Sequence, residues 1–164
     1  MTTSRTDQPL SDLPARSSWS RLFSLVDREA VSATAKAIAA RVRIEPLAPP
    51  ESGLVLIAVR DGVGGVPFHL GEMPAARVAL RVSTADGRIG EGGAIVQNED
   101  LDLARAVALL DAALAHALPG WEDAVALLQA GARRAAEIEE RRTTLLARTR
   151  VDFRAFSEFA GEEA

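Results

Sequence analysis

Four cationic or imidazole side chains lie where a β-sheet could present them to an anion. Arg77 and Arg81 stand four residues apart in the stretch 75–83, where Val78, Leu80 and Val82 alternate with Arg77, Ala79 and Arg81. That alternation predicts a strand, and it puts both guanidinium groups on one face, roughly 13 Å apart. Arg60 closes the apolar run 54–60, and His69 follows Phe68 in a short β-like stretch. The guanidinium fork matches phosphate and carboxylate geometry, and an imidazole N–H adds a further donor. Arg60, His69, Arg77 and Arg81 are therefore the candidates for holding a phosphorylated small molecule or an acidic protein surface. The plainer reading of the same residues is a solvated sheet face. Glu72, after Gly71, is a candidate general base for which no acid partner can be named. His116, at the end of a helical stretch, reads as a surface histidine facing the helix dipole.

Other motifs exclude more than they assign. The stretch Gly62-Val-Gly-Gly65 could cradle a phosphate only if Lys-Ser/Thr and a helix followed. A strand follows instead, so a hairpin turn is expected. Gly90, Gly92 and Gly93 read as a bulge or bend. The chain has no cysteine and two histidines far apart. Disulfides, cysteine-ligated zinc, iron–sulfur clusters and cysteine nucleophiles are excluded, and a histidine-rich metal site is disfavoured. No Gly-x-Ser-x-Gly is present. The residues assign no catalytic group and no metal site.

The elements that must position these residues follow from periodicity. Ser17 or Ser18 is placed to cap a first helix carrying Trp19, Leu22, Phe23 and Val26 on one face. Asp27 caps a second helix over about 28–41, with Val31, Ala35 and Ile38 as its stripe. The run 54–60 is apolar on both faces and predicts a central strand. Residues 66–70 predict a short separate strand, with Pro67 at its start or on an edge. Ala85-Asp-Gly87 signals a hairpin turn, and a weak strand follows over about 88–96. Asn98 or Asp100 caps a helix bearing Leu103, Val107, Leu110, Leu114 and Leu118, which Pro119-Gly120 ends. A last helix runs from 121 or 122 to about 149, charged in its second half. The expected class is α+β: an antiparallel meander of four to five strands with two helices before it and two after.

The 164 residues predict one domain, at 18–164, behind a disordered tail at 1–17 rich in Ser, Thr, Asp and Pro. A net charge of −4 and a 4% aromatic content argue against nucleic-acid binding. No run is long and apolar enough for a membrane span or signal peptide, so a cytoplasmic location without membrane attachment is expected. Three of the five phenylalanines fall in the closing segment, about 149–160. Aromatics and arginine there suit a contact with another chain, which makes Arg150, Asp152, Phe153 and Phe156 candidate interface residues.

In this order and at these spacings the segments resemble the small G subunits (PhnG) of bacterial carbon–phosphorus lyase systems. The resemblance covers about residues 18–158. It is carried by Trp19 and Leu22, Gly53-Leu-Val55, the turn from Gly62 into Phe68-His-Leu-Gly-Glu72, and Arg77 with Leu80-Arg81-Val82. Asp86-Gly87, Asp111-Ala-Ala-Leu114 and Thr149-Arg-Val-Asp-Phe153 complete it. His69 and Ala76 replace the family's usual Asn and Thr, and Asn98-Glu99-Asp100 stands where Gly-Arg-Asp is usual.

The resemblance implies a subunit of a complex with no catalytic residue of its own. That complex makes ribose 1-alkylphosphonate 5-triphosphate from ATP and an alkylphosphonate, releasing adenine. Its implied partners are the I, H, J and L subunits, most directly the large I subunit. This chain is expected to bind no cofactor. The complex uses ATP, while radical S-adenosylmethionine and iron–sulfur chemistry belong to another subunit, J. The alternative is a free-standing binder or enzyme for a phosphorylated small molecule, using the arginine-rich sheet face.

Overall fold

The computed structural model describes residues 13–149. A 3-10 turn at Arg16–Ser18 leads into α1 (Trp19–Phe23) and α2 (Arg28–Ala39). Strands β1 (Val42–Pro46), β2 (Glu51–Arg60), β3 (Pro67–Thr84) and β4 (Ile89–Val96) follow, then α3 (Leu101–Ala115) and α4 (Trp121–Arg148). The class is α+β, with an antiparallel four-stranded sheet and helices at both ends.

Caps set the helix starts. The Asp27 carboxylate accepts from the Ala30 amide at 3.0 Å and opens α2. Asp100, not Asn98, caps α3, accepting from Leu103 N at 2.9 Å. The expected serine cap of α1 is not made. Ser18 is helical, and its hydroxyl donates to the Ala15 carbonyl instead. Val31, Ala35 and Ile38 bury the α2 stripe, and Val107, Leu110 and Leu114 bury that of α3, which ends at Ala115, so Leu118 joins the core from the turn before Pro119-Gly120. These pack on Val78, Leu80, Val82, Ala94 and Val96, the inward set of β3 and β4. Gly120 takes a φ of 90°, where glycine has no steric penalty, and redirects the chain into α4. Only the first half of α4 is buried, through Ala124, Leu128 and Gly131.

The sheet is organised around β3, which at 18 residues spans roughly 60 Å. The expected short strand at 66–70 is not separate, because it runs into 75–83 as one strand. One edge of β3 pairs with β4 from Ala76 to Ser83. The other edge pairs with β2 from Pro67 to Arg77, then with β1 from Leu80 to Thr84. Both β1 and β2 pair with β3 and not with each other, so the connectivity is not a plain meander. They act as one long partner strand, broken where Pro46, Pro49 and Pro50 withhold backbone donors.

The run 54–60 is not a central strand. Beyond Ala76 there is no β4, and β2 and β3 continue alone as a two-stranded arm. Leu54, Val55 and Leu56 are 62%, 50% and 57% exposed. Apolarity on both faces of the run 54–60 marks positions suited to burial, but among the described residues no element is packed over either face of the arm.

Candidate functional site

Residues 53–71 form most of the arm and carry two formal charges, Arg60 and Asp61, both at the hairpin tip. Cross-strand register assigns the faces, because opposed residues share a side. Val55 opposes Met73, and Val59 opposes Phe68, with Ile57 between them in the alternation. This is the face that carries Arg77 and Arg81 further along β3. The other face holds Leu54, Leu56 and Ala58, opposed by Pro74, Glu72 and His69. The register shifts between Ile57 and Ala58 and leaves Leu70 as the extra residue of a β-bulge, 67% exposed.

The tip is a self-contained turn. The Asp61 carboxylate accepts from the amides of Val63, Gly64 and Val66. These bonds, led by that from Gly64, hold its pKa below the ordinary carboxylate value. Arg60 donates Nη1 to the Gly65 carbonyl at 3.2 Å. The amides that a phosphate would need are therefore taken by the chain's own carboxylate, as expected of a hairpin turn.

The four anion-binding candidates do not come together. Arg77 and Arg81 share the outer sheet face, as their spacing predicts. Arg60 and His69 lie on the opposite side of the arm by register. The outer face is also not low in acids. Arg77 donates to Glu51 at 2.7 Å, and Arg81 grips Glu91 Oε1 through Nε at 3.1 Å and Nη2 at 2.8 Å. Both pairs are exposed cross-strand neighbours of the kind that steadies a sheet by at most about 1 kcal/mol. Glu72 is exposed on the His69 side. Among the described residues no cluster of three His, Asp or Glu side chains could hold a metal. Arg150, Asp152, Phe153 and Phe156 lie outside the described residues.

One polar cluster is invisible to sequence spacing. Asp111, in the middle of the buried α3 stripe, accepts from Arg16 Nε at 3.0 Å, Arg16 Nη2 at 2.8 Å and Gly93 N at 2.9 Å. Arg16 also donates to the Glu91 carbonyl at 3.0 Å, and His116 Nε2 lies 3.2 Å from the same oxygen. Hydrogen bonding to Asp111 raises the Arg16 pKa further. Arg16, placed by the sequence in a disordered tail, instead fastens the N-terminal segment to helix and sheet. A lone Asp in the run Leu109-Leu110-Asp111-Ala112 was the available signal.

Beside this cluster, a half-open groove of about 1130 Å³ runs between α1 and β4. Arg16, Arg21, Arg77, Ser20 and Met73 are among its lining residues. Gly90 and Gly92 are neither bulge nor bend. They let α3 sit on β4: a Cβ at Gly92 would lie 2.2 Å from the Ala108 carbonyl oxygen, and one at Gly90 2.7 Å from the His116 ring.

The described geometry thus offers a largely apolar arm, charged at its tip, at Glu72 and at its base, and a well-braced body, with no assembled catalytic group among the described residues. Comparison with known proteins agrees with the resemblance. A family model described as "Phosphonate metabolism protein PhnG" matches residues 14–157. A Rhizobium meliloti (strain 1021) protein, named as alpha-D-ribose 1-methylphosphonate 5-triphosphate synthase subunit PhnG, is 35% identical over 127 residues. That alignment covers 77% of each chain. With the match spanning nearly the whole described body, from the residue before Arg16's neighbour Ala15 to beyond the end of α4, this chain belongs to the PhnG family of phosphonate metabolism proteins.

Proposed function

We propose that this chain is an assisting subunit of a cytoplasmic complex that makes ribose 1-alkylphosphonate 5-triphosphate. In that reaction the bond from the ribose C1 of ATP to adenine breaks, and a bond from C1 to a phosphonate oxygen forms. Adenine leaves and the triphosphate stays on the ribose. The observation that carries the reading is the 35% identity to a protein named as a subunit of such a synthase. The apolar arm supports it, since a chain that works alone has no use for uncovered apolar strands. The direct partner in this reading is the large I subunit, with the H, J and L subunits in the same system. The closing segment with Arg150, Asp152, Phe153 and Phe156 is a proposed second contact.

The chain's proposed contribution is to order and brace the synthase, not to move atoms. Its cationic side chains on the sheet are already engaged by Glu51, Glu91 and the Gly65 carbonyl. The test is adenine release from ATP in the presence of methylphosphonate, by the I, H and L subunits with and without this chain. The reading expects release to need this chain, and to survive Arg77→Ala and Arg81→Ala in it. Full activity without the chain would refute it.

A further inference from the structure

We propose that the arm formed by β2 and the first half of β3 is a docking element that inserts into a cleft of a larger partner protein, which covers both of its faces. The inference rests on the subunit reading above and names the surface and partner chemistry that reading requires.

The arm is built for burial it does not have. Its outer face presents Val55, Ile57, Val59, Phe68 and Met73, and its other face Leu54, Leu56, Ala58 and Pro74, with Glu72 opposite Leu56 and His69 opposite Ala58 as the polar members of that face. Phe68 is 47% exposed and Leu70 67%. A chain with 26% charged residues puts none on the arm between Gly53 and Gly71 except at the tip. Depletion of charge with enrichment in aromatic and aliphatic side chains marks the core of a protein interface. A two-stranded ribbon is at best marginally stable alone in water. The arm therefore gains order from whatever covers it.

Three features select the occupant. Residues 51–75 number about as many as one partner contributes to a standard stable interface, roughly 20–30. Among the described residues, the second edge of β3 has no strand partner over 67–75, and β2 has none on its outer edge. Lipid would leave those backbone N–H and C=O groups unsatisfied, so the occupant must supply hydrogen bonds, as a protein does. A two-fold pairing with a second copy sets like face on like face and leaves the other face bare. A clasping partner covers both. Its chemistry is complementary: an apolar cleft about one ribbon wide, offering a strand edge, with polar groups where Arg60 and Asp61 reach and a hydrogen-bond donor or cation where Glu72 faces it.

The test uses the full chain co-expressed with the I subunit. Leu56→Glu charges one face and Ile57→Glu the other, while Ile89→Glu charges an exposed apolar position on β4 away from the arm. Each arm variant should weaken the complex at least tenfold, and Ile89→Glu should leave it within twofold. All three should melt like the parent chain, because none of the three positions belongs to the buried core. In the unaltered complex, amides of 53–59 and 67–73 should exchange at least tenfold more slowly than in the free chain. This readout needs no variant to fold. A complex that forms with both arm variants at parental affinity, or with those amides unprotected, overturns the proposal and leaves the subunit reading intact. Loss with only one face charged overturns the two-sided clasp, as does self-association through the arm or binding to phosphatidylcholine vesicles. Failure of the unaltered chain to join the I subunit refutes the subunit reading itself.

Discussion

Glu51 and Arg77 face each other across β2 and β3, joined by a 2.7 Å hydrogen bond, one residue from Ala76–Val96, the last pair that β4 makes with β3. The ion pair therefore stands at the base of the arm, where a three-stranded sheet becomes a two-stranded one. Four residues on, Arg81 is held by Glu91 in the same way across β3 and β4. The two arginines that look from sequence like an anion-binding face act in the structure as cross-strand ties.

That assignment has a direct consequence. In an Arg77→Ala, Arg81→Ala double variant, two exposed pairs are lost, each contributing at most about 1 kcal/mol. Urea denaturation should show a loss no greater than about 2 kcal/mol, smaller at high salt because exposed pairs are screened. Isothermal titration with ATP should show no change from the parent chain. A large drop in affinity for a phosphorylated ligand would restore the anion-binding face.

Close backbone approach makes a second prediction. A methyl at Gly92 would meet the Ala108 carbonyl oxygen at 2.2 Å, and one at Gly131 would meet that of Leu22 at 2.2 Å. Neither neighbour is a side-chain tip that can swing away. Gly92→Ala and Gly131→Ala should each cost on the order of 3 kcal/mol, the clash outweighing alanine's better helix propensity at 131. Gly53→Ala, with nothing within 4 Å of the new methyl, should be close to neutral. Thermal melts of the three variants decide it.

The tip of the arm should respond to acid. Hydrogen bonds from the Gly64, Val63 and Val66 amides lower the Asp61 pKa in the folded chain. A depressed carboxylate contributes order that is fully present above its unfolded value, near 3.8, and lost as pH falls through the folded value. Exchange at the Val63, Gly64 and Val66 amides, corrected for intrinsic rates, should accelerate below pH 4 in the parent chain. Asp61→Asn should show accelerated exchange already at neutral pH and no such step.

Truncation after Thr149 leaves every described core residue in place, and within α4 the buried residues are Ala124, Leu128 and Gly131. The truncated chain should keep its stability to within about 0.5 kcal/mol. It should lose affinity for the I subunit, as Arg150, Asp152, Phe153 and Phe156 are proposed contacts. Circular dichroism and pull-down together check both halves.

How far the sequence could be read depended on what kind of contact each residue makes. Local chemistry was legible. Asp27 and Asp100 cap their helices, Leu110 and Leu114 are core, and Gly87 turns the hairpin with a φ of 84°. Shared faces were legible wherever alternation was regular, so Arg77 and Arg81 were paired correctly. Three things were not. Periodicity reports that both faces of 54–60 avoid water but not what covers them, so a protruding arm read as a central strand. Arg16 sits in a polar segment with no period, and its partner Asp111 is 95 residues away. A glycine in a strand signals either a bulge or a close neighbour, and only the position of α3 chooses between them for Gly92. The candidate site was legible as residues but not as a place. Register separates Arg60 and His69 from Arg77 and Arg81, and the largely apolar surface between them carries the proposed role.

The most direct test of the central claim is the mass of what this chain forms when co-expressed with the I subunit of its own system, measured by light scattering after affinity purification. Membership of a synthase complex predicts a single stable species containing both chains. A chain that elutes alone, as monomer or homodimer, with the I subunit folded and unbound beside it, would contradict the account.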